Sequence, residues 1–269
     1  MKPNLIMAII LPIFLSAGST NPYHSICKHA QDEAGNETGE NPYHTIGDIP
    51  LPSGFKRIDV QCNSFGYWLR NIRLKKSLII HLYDGSVKKD QTMQFAVLDL
   101  SIGNKDLQQC ADAVMRLRAE YFFSQKKFDK INFRDNNNTS YQFTAPYNCG
   151  HFSQYLENVF RHCGTLSLEK ELYPVKNIND VQPGDVLIQG GSPGHAMLVI
   201  DMAKNNEGKK IFLLMQGYMP AQDIHIVVNP SNPDLNPWYE LNNNSCYTPG
   251  WVFPPTHFRS WHTKNDAGL

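Results

Sequence analysis

The sequence predicts an α+β fold in which a strand-rich N-terminal part precedes two helices and a second group of strands. Three observations support this prediction: two helical patterns of apolar residues in the middle of the chain, a hairpin signal after them, and strand-like runs on both sides. The chain has 269 residues, of which 41% are hydrophobic and 19% are charged, as in ordinary globular proteins. This length is enough for one domain with a large core.

The beginning of the chain has the three-part pattern of a secretory signal peptide. Lys2 supplies a basic start, 5–15 form a short apolar run, and 16–19 are small residues typical of a cleavage region. The apolar run is shorter than the roughly 20 residues that a membrane-spanning helix requires. We therefore expect 1–19 to be a signal peptide and the protein to be exported, periplasmic or extracellular, and soluble.

A flexible tail is predicted to follow the signal peptide, over 20–47. It is polar and contains the tetrapeptide Asn-Pro-Tyr-His twice, at 21–24 and at 41–44. Two copies are too few for a repeat architecture, so a local duplication in a linker is the simpler interpretation. The single α+β domain is expected to cover 48–269.

Helices and strands are predicted from the period of the apolar residues. The N-terminal part of the domain is expected to contain strands at 57–62, 78–83 and 94–100. Helical spacing then predicts helices over 105–123 and 150–162.

The second half of the chain contains four more strand-like runs. Asn205-Asn206-Glu207-Gly208 separates two of them and is a hairpin signal. The expected strands are 186–189, 195–202, 210–216 and 224–228. From Asn229 onward the chain is rich in Pro and Asn, which predicts irregular structure.

Charge and motifs exclude several classes of function. Lys and Arg number 25, as do Asp and Glu, so the chain has no net charge, a pI near 7.1 and a mean hydropathy of −0.40. Nucleic-acid binding and integral membrane association are therefore not expected. No Walker loop, dinucleotide fingerprint or His-Glu-x-x-His motif is present, and the histidines lack the spacing of metal ligands. No cofactor and no metal are predicted.

Cys149 and His195 are the first candidates for catalysis. Cys149 precedes a predicted helix, and the partial positive charge of a helix N-terminus favours a reactive thiolate. His195 follows a Gly-Gly-Ser-Pro-Gly loop and opens a predicted strand, where an imidazole can act as the base for a cysteine nucleophile. The six cysteines, whose pairing the sequence leaves open, are Cys27, Cys62, Cys110, Cys149, Cys163 and Cys246.

Gln216 is the third candidate. If the hairpin turn centres near Asn205, Gln216 lies opposite His195 and on the same face of the sheet. Its amide oxygen is then positioned to accept a hydrogen bond from the imidazole and to fix its tautomer. A register shift of one residue places Gln216 on the other face.

Part of the chain resembles the NlpC/P60 group of papain-like cysteine peptidases. The resemblance covers about 145–220 and is carried by three segments: Asn148-Cys149-Gly150-His151-Phe152-Ser153-Gln154-Tyr155, Val181-Gln182-Pro183-Gly184-Asp185-Val186 and Gly194-His195-Ala196-Met197-Leu198-Val199. It implies a papain-like core of helices packed on an antiparallel sheet, with the strand-rich part as an N-terminal extension. It also implies Cys149 as nucleophile, His195 as base and Gln216 as third polar residue. Asn148 and His151 depart from the group's pattern.

A second resemblance covers most of the chain from about residue 50. Segments beginning at Asp106, Gly164, Gly190 and Phe212 are similar to an exported bacterial domain family of unknown function. In that pattern the cysteine of the first segment is Cys110, which makes Cys110 the rival to Cys149 as the relevant thiol. Its place on an apolar helical stripe also fits a small core residue.

Two functions follow as hypotheses. The first is a secreted papain-like cysteine hydrolase that acts on peptide or amide bonds, with cell-wall peptide as one class of substrate. The second is a catalytically inactive envelope binding module of the same fold.

Overall fold

The computed structural model describes residues 40–262. The signal peptide predicted at 1–19, the first Asn-Pro-Tyr-His copy and Cys27 lie outside the described residues. Four α-helices lie in the described part: α1 (Phe65–Arg70), α2 (Cys110–Ser124), α3 (Cys149–His162) and α4 (Thr165–Glu171). Its first strands are β1 (Phe55–Arg57), β2 (Gln94–Val97), β3 (Asn132–Arg134), β4 (Ser140–Gln142), β5 (Tyr173–Pro174) and β6 (Val186–Gln189). They are followed by β7 (His195–Asn205), β8 (Lys210–Gln216), β9 (His225–Val227), β10 (Tyr239–Glu240), β11 (Cys246–Thr248), β12 (Trp251–Phe253) and β13 (Phe258–Ser260).

Nine of the strands form one antiparallel sheet. Its main order is β2-β9-β8-β7-β6-β13-β5, with β1 paired to β7 and β10 paired to β8 outside this path. Two separate hairpins, β3-β4 and β11-β12, complete the strands of the described region. The long strands β7 and β8 therefore lie at the centre of the sheet, and each carries one of the sequence-predicted polar site residues at one end.

The predicted fold class is wrong. The structure is a β-rich fold with few and mostly short helices, rather than a papain-like core of helices packed on a sheet. Four strands, β10 to β13, lie in the segment after Asn229 that was predicted to be irregular. Each has only two or three residues, which is too short to produce an alternating pattern in the sequence.

The predicted N-terminal strands are also largely wrong. The run at 57–62 contains only the last residue of β1, and α1 follows it. The run at 78–83 contributes isolated bridges at His81 and Leu82 rather than a strand. The helix predicted at 105–123 begins at Cys110, whereas the strands predicted at 186–189 and 210–216 have the predicted bounds.

Apolar side chains cover both faces of the sheet. One core packs α1, α2 and α3 against alternating residues of β7 and β8 such as Ala196 and Leu213. A smaller core on the other face contains Met197, Leu214 and Phe253. Because both faces are buried, β7 is apolar almost continuously rather than alternating.

The second Asn-Pro-Tyr-His copy belongs to the folded structure. Asn41 is buried and its side-chain amide donates to the Lys75 carbonyl oxygen at 3.0 Å. Thr45 and Asp48 hydrogen-bond to each other, and Ile46 between them is fully buried in the main core. Residues 41–47, which were predicted as tail, are therefore part of the domain. Within 40–262 no helix is long and apolar enough to cross a membrane.

Candidate active site

Cys110 is the first residue of α2, and the chain before it is held in place by side-chain contacts. The Gln109 backbone N–H donates to the Asp112 carboxylate at 2.9 Å, which is one half of a capping box. The Ala221 N–H donates to the Asp106 carboxylate at 2.7 Å and ties the loop after β8 to this helix start. These contacts fix the position of the Cys110 thiol relative to the central strands.

The Cys110 thiol lies against β7. The backbone N–H of Ala196, the residue that follows His195 in the chain, is one of the groups that act on the pKa of this thiol. Burial raises the pKa of Cys110, whereas the N–H groups of Ala196 and of Ala111 oppose that rise. The side chain is only 7% exposed.

His195 and Gln216 form the expected hydrogen bond, but they are not directly opposite each other: the β7-β8 ladder pairs Leu198 with Met215, which places Gln216 two residues further along β7 than His195. His195 is the first residue of β7 and Gln216 is the last of β8, the neighbouring strand. The His195 Nε2 lies 2.8 Å from the Gln216 Oε1, and both side chains are buried. Because Gln216 occupies Nε2, the Nδ1 of His195 is the ring atom left for chemistry.

Aromatic rings enclose the His195 imidazole. The centroids of Tyr218, Trp251 and Phe253 lie 5.3, 5.4 and 6.0 Å from that of His195. Burial lowers the pKa of His195 to about 4, although the hydrogen bond to Gln216 acts in the opposite direction. The ring is therefore neutral at pH 7, as a general base has to be.

His225 extends this arrangement onto a third strand. It lies directly opposite Gln216 in the β8-β9 ladder, and its Nε2 is 3.1 Å from the Gln216 Nε2. Its Nδ1 is 3.0 Å from the backbone carbonyl oxygen of Asp223. The ring is fully buried, and burial lowers the pKa of His225 to about 4. His225 was not predicted as a site residue, although it lies in the strand predicted at 224–228, which follows the strand that ends at Gln216.

The structure does not bring Cys149 to His195. Cys149 is the first residue of α3, and Asn148 caps that helix by accepting from the His151 N–H at 3.0 Å. One turn further, Phe152 packs on Phe123 near the C-terminal end of α2, with 4.4 Å between ring centroids. Cys110 lies at the other end of α2, and a helix of that length extends about 20 Å. The thiol next to the histidine strand is thus Cys110.

No group of three or more His, Cys, Asp or Glu residues in residues 40–262 is arranged to hold a metal ion. His195 and His225 are also separated by the Gln216 amide, which uses one nitrogen of each ring.

Comparison with known proteins identifies a family whose activity is not described. Neither a curated protein nor a solved structure matches the chain significantly. A family model described as "Domain of unknown function (4846)" matches residues 47–151 and 134–260, which include Cys110, His195, Gln216 and His225. Since this match covers most of the sequence, the chain belongs to that family.

Proposed function

We propose that this protein is a cysteine hydrolase that cleaves peptide or amide bonds. Cys110 is the nucleophile, His195 the general base and Gln216 the residue that orients the imidazole. The observation that carries this proposal is the 2.8 Å hydrogen bond from His195 Nε2 to Gln216, which precedes Gly217, the residue against which the start of α2 packs. A buried thiol at a helix start and a tautomer-fixed imidazole are two parts that nucleophilic catalysis requires.

The reaction proceeds in two steps. In the first, the Cys110 sulfur bonds to the substrate carbonyl carbon, and the thiol proton passes through His195 Nδ1 to the departing amine. In the second, water cleaves the thioester and releases the carboxylic acid and the thiol. The positive end of the α2 dipole stabilises the negative charge that develops on the carbonyl oxygen near Cys110.

The test separates the two cysteine candidates. A defined peptide mixture and purified cell-wall muropeptides are incubated with wild type, Cys110→Ala, Cys149→Ala and His195→Ala, and new termini are identified by mass spectrometry. We expect cleavage by wild type and Cys149→Ala and none by the other two variants. Cleavage that survives Cys110→Ala and disappears in Cys149→Ala would assign the nucleophile to Cys149 instead.

Thiol reactivity gives a second measurement that requires no substrate. We expect iodoacetamide to modify Cys110 at pH 7 at least about tenfold more slowly in His195→Ala than in wild type, because the base that accepts the thiol proton is missing. Cys163 is the internal reference, since it is a buried thiol whose pKa burial raises to about 12. An unchanged rate at Cys110 would separate the thiol from the imidazole and remove the hydrolase proposal.

A binding module is the second candidate, and one observation favours it. Burial raises the pKa of Cys110 and lowers that of His195 to about 4, so both groups are neutral at pH 7 and the ion pair of a thiolate and an imidazolium is disfavoured. The same pocket then binds peptide or glycan in the envelope without cleaving it. Saturable binding of muropeptides by wild type, with no cleavage and no effect of His195 on thiol reactivity, is the outcome that this function predicts.

Export is part of the first proposal. The support is the N-terminal pattern of Lys2, the apolar run 5–15 and the small residues 16–19. A protein exported in this way meets cell-wall peptide, which is the substrate class proposed above. Fractionation of cells that express the full chain, with and without residues 1–19, checks this: the full chain is expected in the periplasm or medium and the shortened chain inside the cell.

A further inference from the structure

We propose that His225 is a positioning residue that, through Gln216, decides which nitrogen of His195 carries the proton. This inference rests on the proposed hydrolase function, because it concerns the base of that reaction. The inference is based on a row of three hydrogen-bonded side chains on adjacent strands: His195 on β7, Gln216 on β8 and His225 on β9. The row ends at the backbone carbonyl of Asp223.

The direction of every hydrogen bond in this row follows from the carbonyl at its end. A carbonyl oxygen only accepts, so the His225 Nδ1, 3.0 Å from the Asp223 oxygen, carries a hydrogen. Because burial keeps His225 neutral, its Nε2 has a lone pair and must accept. The Gln216 atom 3.1 Å away is therefore the amide nitrogen, which donates.

The donor and acceptor nitrogens of His195 are determined in the same way. With its nitrogen turned to His225, Gln216 presents its oxygen to the His195 Nε2, 2.8 Å away, and that nitrogen must donate. A neutral imidazole with its hydrogen on Nε2 has its lone pair on Nδ1. His195 is thereby held in the tautomer in which Nδ1 accepts a proton, the form that the proposed step with Cys110 requires.

The row is anchored at Asp223, just before β9. The Asp223 carboxylate accepts from Lys75 Nζ at 2.8 Å and from the His81 backbone N–H at 3.0 Å, so the carbonyl that sets the polarity is itself fixed. The charged or titratable groups that act on His225 are Lys88 and His195, and each disfavours a charge on its ring. Neutrality of His225 is what allows its Nε2 to accept from Gln216.

Without an acceptor at position 225, nothing determines which way the Gln216 amide faces. When the amide is reversed, its nitrogen donates to the His195 Nε2, the ring hydrogen moves to Nδ1, and the lone pair that Cys110 needs is lost. His225→Leu removes the acceptor. His225→Gln restores one, because its side-chain oxygen reaches about as far as the imidazole Nε2.

The experiment measures tautomer and reactivity on the same protein. Imidazole ¹⁵N shifts of the full chain report the His195 tautomer, and iodoacetamide reports the rate at Cys110. We expect wild type and His225→Gln to show a single Nε2–H form of His195. His225→Leu is expected to show a mixture and a Cys110 rate lower by about three- to tenfold, the effect of one orienting hydrogen bond. An unchanged single Nε2–H form in His225→Leu overturns the inference.

Failure of the proposed function has a different signature. If His195→Ala leaves the Cys110 rate unchanged while His225→Leu still mixes the tautomers, the hydrolase proposal fails and the tautomer control stands. If His225→Leu does not fold, His225→Phe keeps the inference testable, because it retains an aromatic ring and removes the acceptor. A single Nε2–H form of His195 in His225→Phe overturns the inference.

Discussion

Gly217 lies so close to the start of α2 that a Cβ atom at this position would be 2.8 Å from the Gln109 carbonyl oxygen. The same Cβ would lie 3.2 Å from that of Ala113. Gly217 follows Gln216 and Gln109 precedes Cys110, so this contact sets how closely the thiol-bearing helix approaches the strand that orients the histidine.

We expect Gly217→Ala to push the start of α2 away from β8. Overpacking of this kind costs about 1–3 kcal/mol of unfolding free energy. It also moves Cys110 away from Ala196, so the rate of Cys110 alkylation is expected to fall. Urea unfolding and the alkylation rate measure the two effects. Gly164→Ala is the control, because a Cβ there meets nothing within 4 Å; an equal effect of both substitutions would contradict the argument.

Asp201 is the centre of a buried ion pair that joins β7 to β1 and α1. Its carboxylate, with no exposed surface, lies 2.7 Å from Arg57 Nε and 2.6 Å from Arg70 Nη2. Asp201→Asn leaves two guanidinium groups without their counter-charge and is expected to lower the unfolding free energy by about 3–5 kcal/mol in urea titrations. Glu240→Gln, which breaks an exposed pair with Lys209 at 2.7 Å, is expected to cost at most about 1 kcal/mol.

The hydrogen bond between His195 and Gln216 was predictable from the sequence only in part. The hairpin was evident from the sequence. However, if the β7-β8 register found next to the turn continued along both strands, His195 and Gln216 would lie on opposite faces of the sheet. A β-bulge between Val199 and Asp201 shifts the register by one residue and returns Gln216 to the face of His195. The bulge contains neither Gly nor Pro, so the sequence offers no local signal for it.

The start of the helix that carries Cys110 was predicted wrongly for a related reason. Asn148 is a good helix cap and marked Cys149 as a helix-start cysteine, whereas the helix containing Cys110 was predicted to begin at residue 105. The true start follows Gln109, whose backbone bonds to Asp112 in a capping box that lacks the usual Ser or Thr. Helix boundaries of this kind depend on tertiary contacts such as that of Asp106 with Ala221.

Asp112 gives a pH-dependent prediction. Burial raises the pKa of its carboxyl to about 7, so the fold favours the protonated form. Stability is therefore present at low pH and is lost as the pH rises from about 4 to about 7. Asp112→Asn removes this loss. Between pH 4 and pH 8, its free energy of unfolding is expected to rise by roughly 3 kcal/mol relative to that of wild type, as measured by urea unfolding at each pH.

The control for Asp112 is a carboxylate with the opposite shift. Hydrogen bonds from Thr139 and Asn137 lower the pKa of Asp135, so its contribution to stability is present at neutral pH and is lost as the pH falls. For Asp135→Asn, the free energy of unfolding relative to wild type is therefore expected to fall between pH 4 and pH 8. The same direction for both substitutions would contradict the assignment of the Asp112 shift to burial.

Trp251 provides the last prediction, which concerns the pKa of His195. Its ring centroid lies 5.4 Å from that of the imidazole, and burial is the main cause of the His195 pKa near 4. We expect Trp251→Ala to admit water and to raise that pKa toward its usual value of 6.5, as measured by NMR titration. A histidine with a lowered pKa loses stability as the pH falls from about 6.5 to about 4, so this loss is expected to be smaller in the variant. Val252→Ala, at the neighbouring and half-exposed position of β12, is the control. If Trp251→Ala leaves the His195 pKa at its wild-type value, the β11-β12 hairpin is not what keeps the imidazole neutral.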